Sequence, residues 1–276
     1  VFSVGPYTGN NIPSWPDNPD FPNKYIDMPD LILKSAFSRK LPKKWPIKDA
    51  IKKAKEKGFI PDIIFQIDAD FYLDGHAPCP NVLYGPDPQV LDYSKHKKHA
   101  DYFFVAHPGK YQQGGIWIPL GADDMMIDLK QPRPIDIVFA GFLYDHRKEL
   151  FDKLALDFNL ECKTNVILDD FVNFYNKGKI GISLSFRGDI PIRVFETMAM
   201  GCLCFADKAD GLEELFIDGK HLVLYENENE LTEKLKFYLN NPELLKQTAL
   251  AGKEEVDKKH RTRHRINKIF EIMGIK

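Results

Sequence analysis

Short apolar runs that stop at Gly, Asp or Pro, and that alternate with stretches of helical periodicity, constrain this chain most. In the first half the runs are "PDIIFQID" (61–68), "NVLYGPDP" (81–88), "YFFVAHPG" (102–109) and "GIWIPLG" (115–121), with the end of an earlier strand read at Phe2–Val4. Ile47, Ile51 and Ala54 share one face of a helix predicted over 47–58, which Gly58 stops. Past "ADDMMIDLKQPRP" the pattern restarts. It runs through "IDIVFAG" (135–141), a helix over 146–158, "GKIGISLS" (178–185), a helix over 190–200 ended by Gly201, "CLCFAD" (202–207) and "HLVLYE" (221–226). Helices near 229–240 and 242–258 follow, then a basic final helix carrying Ile266, Ile269, Phe270 and Met273. Strands that are apolar throughout and joined by helices are buried on both faces, the pattern of parallel sheet. The reading is therefore α/β in two domains, 1–124 and 125–276, with a linker near 121–134 and a last helix placed to cross back to the first domain.

Composition narrows the class. With 38 basic and 40 acidic side chains, the net charge of -2 gives no global reason for a polyanionic partner. Cys79, Cys162, Cys202 and Cys204 form no Cys-x-x-Cys pair or zinc-like spacing, and the last two sit in an apolar run where buried free thiols are expected. A reducing, cytoplasmic compartment follows from that usage. The apolar runs fall short of the ~20 residues that span a bilayer. No signal peptide is read, although the chain begins at Val1 rather than Met.

The densest signal is Arg193-Val194-Phe195-Glu196-Thr197-Met198-Ala199-Met200-Gly201, followed after a strand by Gly211-Leu212-Glu213-Glu214. This stretch resembles group 1 glycosyltransferases, especially the spore-maturation-protein-like branch. "FAGFLYDHRKEL" (139–150) is similar to that family's strand, glycine turn and Arg-bearing helix, and "NVLYGPDP" to its strand ending in an Asp-Pro turn. "WIPLGAD" is similar to the entry to its linker, and His260-Arg261-Thr262-Arg263-His264-Arg265 to its tail. The resemblance spans roughly 80–270 and implies a GT-B-like fold, two Rossmann-like domains facing across a cleft, with a nucleotide sugar bound by the second. Many retaining members carry a further glutamate at the position held here by Gly188, with Asp189 beside it; that departure leaves the stereochemistry open.

The residue types suit such a donor. Glu196 is a carboxylate able to accept from both ribose hydroxyls. Gly141 and the Gly188–Ile190 turn precede helices whose N-termini attract anions. Arg193 and Arg147 are guanidinium groups that stabilise a departing diphosphate with no cofactor and no metal. The plainer reading of Arg193 and Glu196 is a surface ion pair at i, i+3. A base for the acceptor hydroxyl is sought among the strand-end residues Asp68, Asp70, Asp87 and His107.

Three other readings compete. Asp68-Ala69-Asp70 after a strand resembles the metal site of GT-A glycosyltransferases. The missing glutamate suits a non-catalytic nucleotide-sugar or carbohydrate-binding protein of the same fold, with a nucleotide-sugar epimerase as a smaller variant. Lysine clusters at 39–57 and 95–99, interleaved with Trp45 and Tyr93, suit nucleic acid or another polyanion, against the simpler reading of a solvated helix face.

Overall fold

Two parallel sheets, each built by the apolar runs of one half of the sequence, carry the fold. The computed structural model describes residues 44–56, 58, 60–67 and 72–275. Asp68, Asp70 and Phe2–Val4 lie outside them. The chain divides into two units between Trp117 and Ile118.

In the first unit β1 (Lys44–Pro46) leads into α1 (Ile47–Glu56), followed by β2 (Ile64–Ile67), β3 (Tyr72–Asp74), β4 (Asn81–Gly85), β5 (Tyr102–Val105) and β6 (Ile116–Trp117). β2, β4, β5 and β6 pair in that order, all parallel, and β1 pairs with β3. Ile47 and Ile51 of α1 are buried against Ile64 and Ala77, as the helical spacing requires.

The second unit contains β7 (Ile135–Ala140), α2 (Asp145–Leu154), β8 (Leu160–Lys163), α3 (Leu168–Tyr175), β9 (Gly178–Ser183), α4 (Ile192–Ala199) and β10 (Leu203–Asp207). α5 (Leu212–Leu215), β11 (Val223–Tyr225), α6 (Glu228–Asn240), α7 (Pro242–Lys259) and α8 (Thr262–Ile272) complete it. The strand order is β8-β7-β9-β10-β11, all parallel. Alternate residues divide the strands between two faces. Ile137, Phe139, Ile180, Ile182, Leu203 and Phe205 pack with apolar residues of α2, α6 and α7. Gly181 turns the other way, towards Tyr175 of α3 and Thr197 of α4.

β1, β3 and the short α5 were not read from the sequence, and neither were β8 and α3. β8 is an edge strand of alternating half-buried and exposed residues, with Glu161 and Lys163 interrupting its apolar signal. α3 is only eight residues long and opens on Asp169 and Asp170, too short for a periodic stripe to stand out.

The segment 121–134, expected to be a linker, belongs to the second unit and is pinned to it. Ala122 bridges Arg261, its N–H donating to the His260 carbonyl at 3.0 Å. Arg261 Nη1 donates to the carbonyls of Asp123 (2.7 Å) and Met126 (2.8 Å). Asn176 accepts from the Leu129 N–H and donates to the Ile127 carbonyl. Arg133 reaches the carbonyls of Gly178 and Met200 at 2.7 and 2.6 Å.

Candidate functional site

The strand order of the second unit reverses between β7 and β9, because β8 lies on one side of β7 and the later strands on the other. Parallel sheets open a crevice at such a point, outside the carboxyl ends of the two strands. Of the residues singled out from the sequence, Gly141 and Asp189 lie in the segments that leave those ends, 141–144 and 184–191, and Arg147, Arg193 and Glu196 lie on the helices that follow them.

Arg147, on α2, joins the two segments. Its Nη1 donates to the Phe142 carbonyl at 3.4 Å and its Nη2 to the Leu184 carbonyl at 3.1 Å, with the guanidinium 5.4 Å from the Tyr144 ring centroid. Its Nε is buried and meets no hydrogen-bond partner. Burial lowers its pKa, opposed by Tyr144, Asp189 and Asp207. Gly141 is differently employed from the expectation. Its N–H donates to the Lys163 carbonyl at 3.0 Å, and the helix begins only at Asp145, so that amide serves the sheet edge rather than a helix terminus.

The segment after β9 folds around Asp189. Arg187 and Gly188 both take left-handed backbone, φ 64° and 83°. For Arg187 that conformation is strained. The Asp189 carboxylate accepts the Phe186 N–H and holds the turn closed. Ser185 is held in turn by Asp207 at the end of β10, which accepts from its N–H at 2.8 Å and from its hydroxyl. The sequence reading missed this tie, whose only local signal is an Asp at a strand end. Pro191 then starts α4 in extended backbone, and no side chain caps the helix.

Arg193 and Glu196 sit on α4, Glu196 in its second turn rather than at its start. Arg193 Nη1 meets Glu196 Oε2 at 2.8 Å. Glu196 is 8% exposed. Burial raises its pKa; Arg193 opposes the shift and Asp123 adds to it. This is no solvated surface pair, because α4 is packed against β9, β10 and α7 with every residue from Val194 to Ala199 buried. The guanidinium of Arg193 lies over Phe171 and Tyr175 of α3. Ser183 Oγ and Thr197 Oγ1 are buried without a hydrogen-bond partner.

The first unit sets Asp87 and His107 just past the carboxyl ends of neighbouring strands, Gly85 of β4 being in register with Val105 of β5. Asp87 is partly exposed; burial raises its pKa and a hydrogen bond from Gln89 opposes the shift. His107 is 1% exposed, and burial pushes its pKa down to about 4 against a backbone hydrogen bond with Pro86. Of the lysine clusters, Lys97 turns inward, donating to the Gln113 carbonyl at 2.6 Å and lying over Phe103.

Residues 131–271 match the sequence model of a family described as glycosyl transferase-like. No functionally curated protein matches the chain. Similar solved structures include HepE of Anabaena in complex with UDP, at 14% identity and a TM-score of 0.61 over 83% of this chain and 81% of that one. Sucrose-phosphate synthase from Thermosynechococcus elongatus is 12% identical, with a TM-score of 0.58 over 82% and 76%. A glycosyltransferase from Rickettsia africae is 15% identical, with a TM-score of 0.55 over 82% and 79%. At these identities the likeness is one of fold. HepE has also been solved with UDP-glucose.

Proposed function

The chain belongs to the glycosyl transferase-like family, and we propose that it moves a sugar from a UDP-sugar donor to an acceptor hydroxyl. It is a glycosyltransferase, an α/β chain with parallel sheets that matches GT-B structures. The observation that carries the donor reading is the Arg193–Glu196 pair, its carboxylate buried and its guanidinium partly so, on the helix that follows the crevice-forming strand β9 and inside the family-matched segment. The UDP and UDP-glucose complexes of HepE favour uridine as the nucleoside. The motif's likeness to the spore-maturation branch belongs to the same reading, and four free thiols support a reducing, cytoplasmic setting.

In this reading Glu196 accepts from the two ribose hydroxyls. Arg193 faces the diphosphate, and Arg147 holds the walls of the crevice together while offering its buried Nε edge. The acceptor oxygen attacks the anomeric carbon, the bond from that carbon to the diphosphate oxygen breaks, and the diphosphate leaves with the electron pair. Preorganised guanidinium groups stabilise that developing charge and need no metal. In an inverting transfer the acceptor proton goes to a first-unit base. Asp87, partly exposed, is more accessible to an acceptor than the enclosed His107. Gly188, at the position where many retaining members of the resembled family carry a glutamate, favours a second reading as a non-catalytic binding protein; release of glucose or its transfer from UDP-glucose separates the two.

The test is calorimetric titration of UDP into the protein and into Glu196→Gln, with melting curves beside both. Losing charge-assisted bonds to two hydroxyls costs on the order of 1.5–3 kcal/mol. The variant should therefore bind about ten- to a hundredfold more weakly and melt as before. Equal affinity, or an unfolded variant, would make Glu196 structural. The wild-type titration is repeated in EDTA. Unchanged binding supports the metal-free reading, and a loss restored by Mn²⁺ would move the diphosphate to Asp68 and Asp70.

A further inference from the structure

The donor reading uses Arg193 but does not explain how a long, flexible side chain is kept in one place. Its ion pair with Glu196 spans only three positions on α4, and its side chain is 24% exposed. An i, i+3 pair by itself holds such a side chain weakly. A further contact comes from α3. Arg193 Cζ stands 4.2 Å from the Phe171 ring centroid and 5.4 Å from that of Tyr175. The two rings are four residues apart in sequence, so they lie side by side on one face of α3, with centroids 4.7 Å apart. Both are buried, and the Tyr175 hydroxyl accepts the Ala140 N–H at the end of β7 at 3.4 Å, which fixes the aromatic pair to the sheet.

We propose that Phe171 is a positioning residue for Arg193, its ring face holding the guanidinium plane while Glu196 holds one edge. Stacking occupies the flat face of the guanidinium and leaves its N–H donors to partners in the plane, of which Glu196 is one. A fixed plane presents those donors to a diphosphate without reorganisation. The proposal rests on the donor reading above and adds a residue from a helix that reading does not use.

A double-mutant cycle tests it, with UDP affinity measured for the full-length wild type, Phe171→Leu, Arg193→Met and the double variant. Phe171→Leu should weaken UDP binding by about three- to tenfold in the wild-type background and by less than about twofold beside Arg193→Met. Phe171→Tyr, which keeps the ring, should bind within about twofold of wild type. If Phe171→Leu does not melt cooperatively, Phe171→Met takes its place in the cycle. Equal weakening in both backgrounds, no weakening at all, or a Tyr variant no better than the Leu variant would overturn the proposal and leave the donor reading standing. A wild-type protein that binds neither UDP nor UDP-glucose would overturn both.

Discussion

Two histidines are held neutral by burial, His107 with its pKa pushed down to about 4 and His260 to about 3. For His260 the neighbouring Arg265, 2.7 Å from Nδ1, adds to the effect of burial. Each pKa is depressed from an ordinary value of 6.5, so the unfolded chain binds the proton more readily than the folded one. The stability they contribute is full above pH 6.5 and is lost as pH falls towards 4 and 3 respectively, by up to about 1.4 kcal/mol per pH unit for each ring. Melting measured at pH 7, 6 and 5 should therefore fall more steeply for wild type than for His107→Asn. Parallel curves would mean that His107 is already free to protonate in the folded protein. At this scale the pairing of Arg193 with Glu196 was legible, since residues three apart on a helix are neighbours. Its depth was not, because the cover over α4 comes from β9, β10 and α7.

Among the elements, α4 is held so close to the sheet that β9 has no room for a side chain at its centre. A Cβ added to Gly181 would lie 2.6 Å from Thr197 Cγ2 and 3.0 Å from Tyr175 Cε1. Gly181→Ala should destabilise the protein by about 1–3 kcal/mol through overpacking. Thr197→Ser removes the obstructing methyl, so adding it should recover part of that loss, a non-additivity expected only of touching residues. The check is chemical denaturation of the two single variants and the double; strictly additive effects would mean that α4 yields without strain. α4 itself was readable from its apolar spacing and Gly201, but β8 and α3 were not. β8 is interrupted by charge at the sheet edge, and α3 is too short to repeat its stripe.

Over the whole molecule, the second unit has its own core and its own closure. Apolar residues of β7, β9, β10 and β11 pack with those of α2, α6 and α7, and Arg261 clasps the segment at 122–126 from the far end of the sequence. A fragment of residues 118–276 should fold cooperatively and bind UDP with an affinity near that of the full chain. Circular dichroism melting with calorimetry checks this, and a fragment that fails to melt cooperatively would show that the unit leans on the rest of the chain. The sequence by itself determined the class of fold and the kind of chemistry, because alternating apolar runs and the Arg193–Glu196 motif are local patterns that survive without coordinates. Only the tertiary structure decided that 121–134 is a clasped segment, that the Gly141 amide serves the sheet, that Arg147 braces two loops, and that Phe171 lies beneath Arg193. Each of those facts depends on groups brought together from distant positions by strand order and helix packing, which no local pattern encodes.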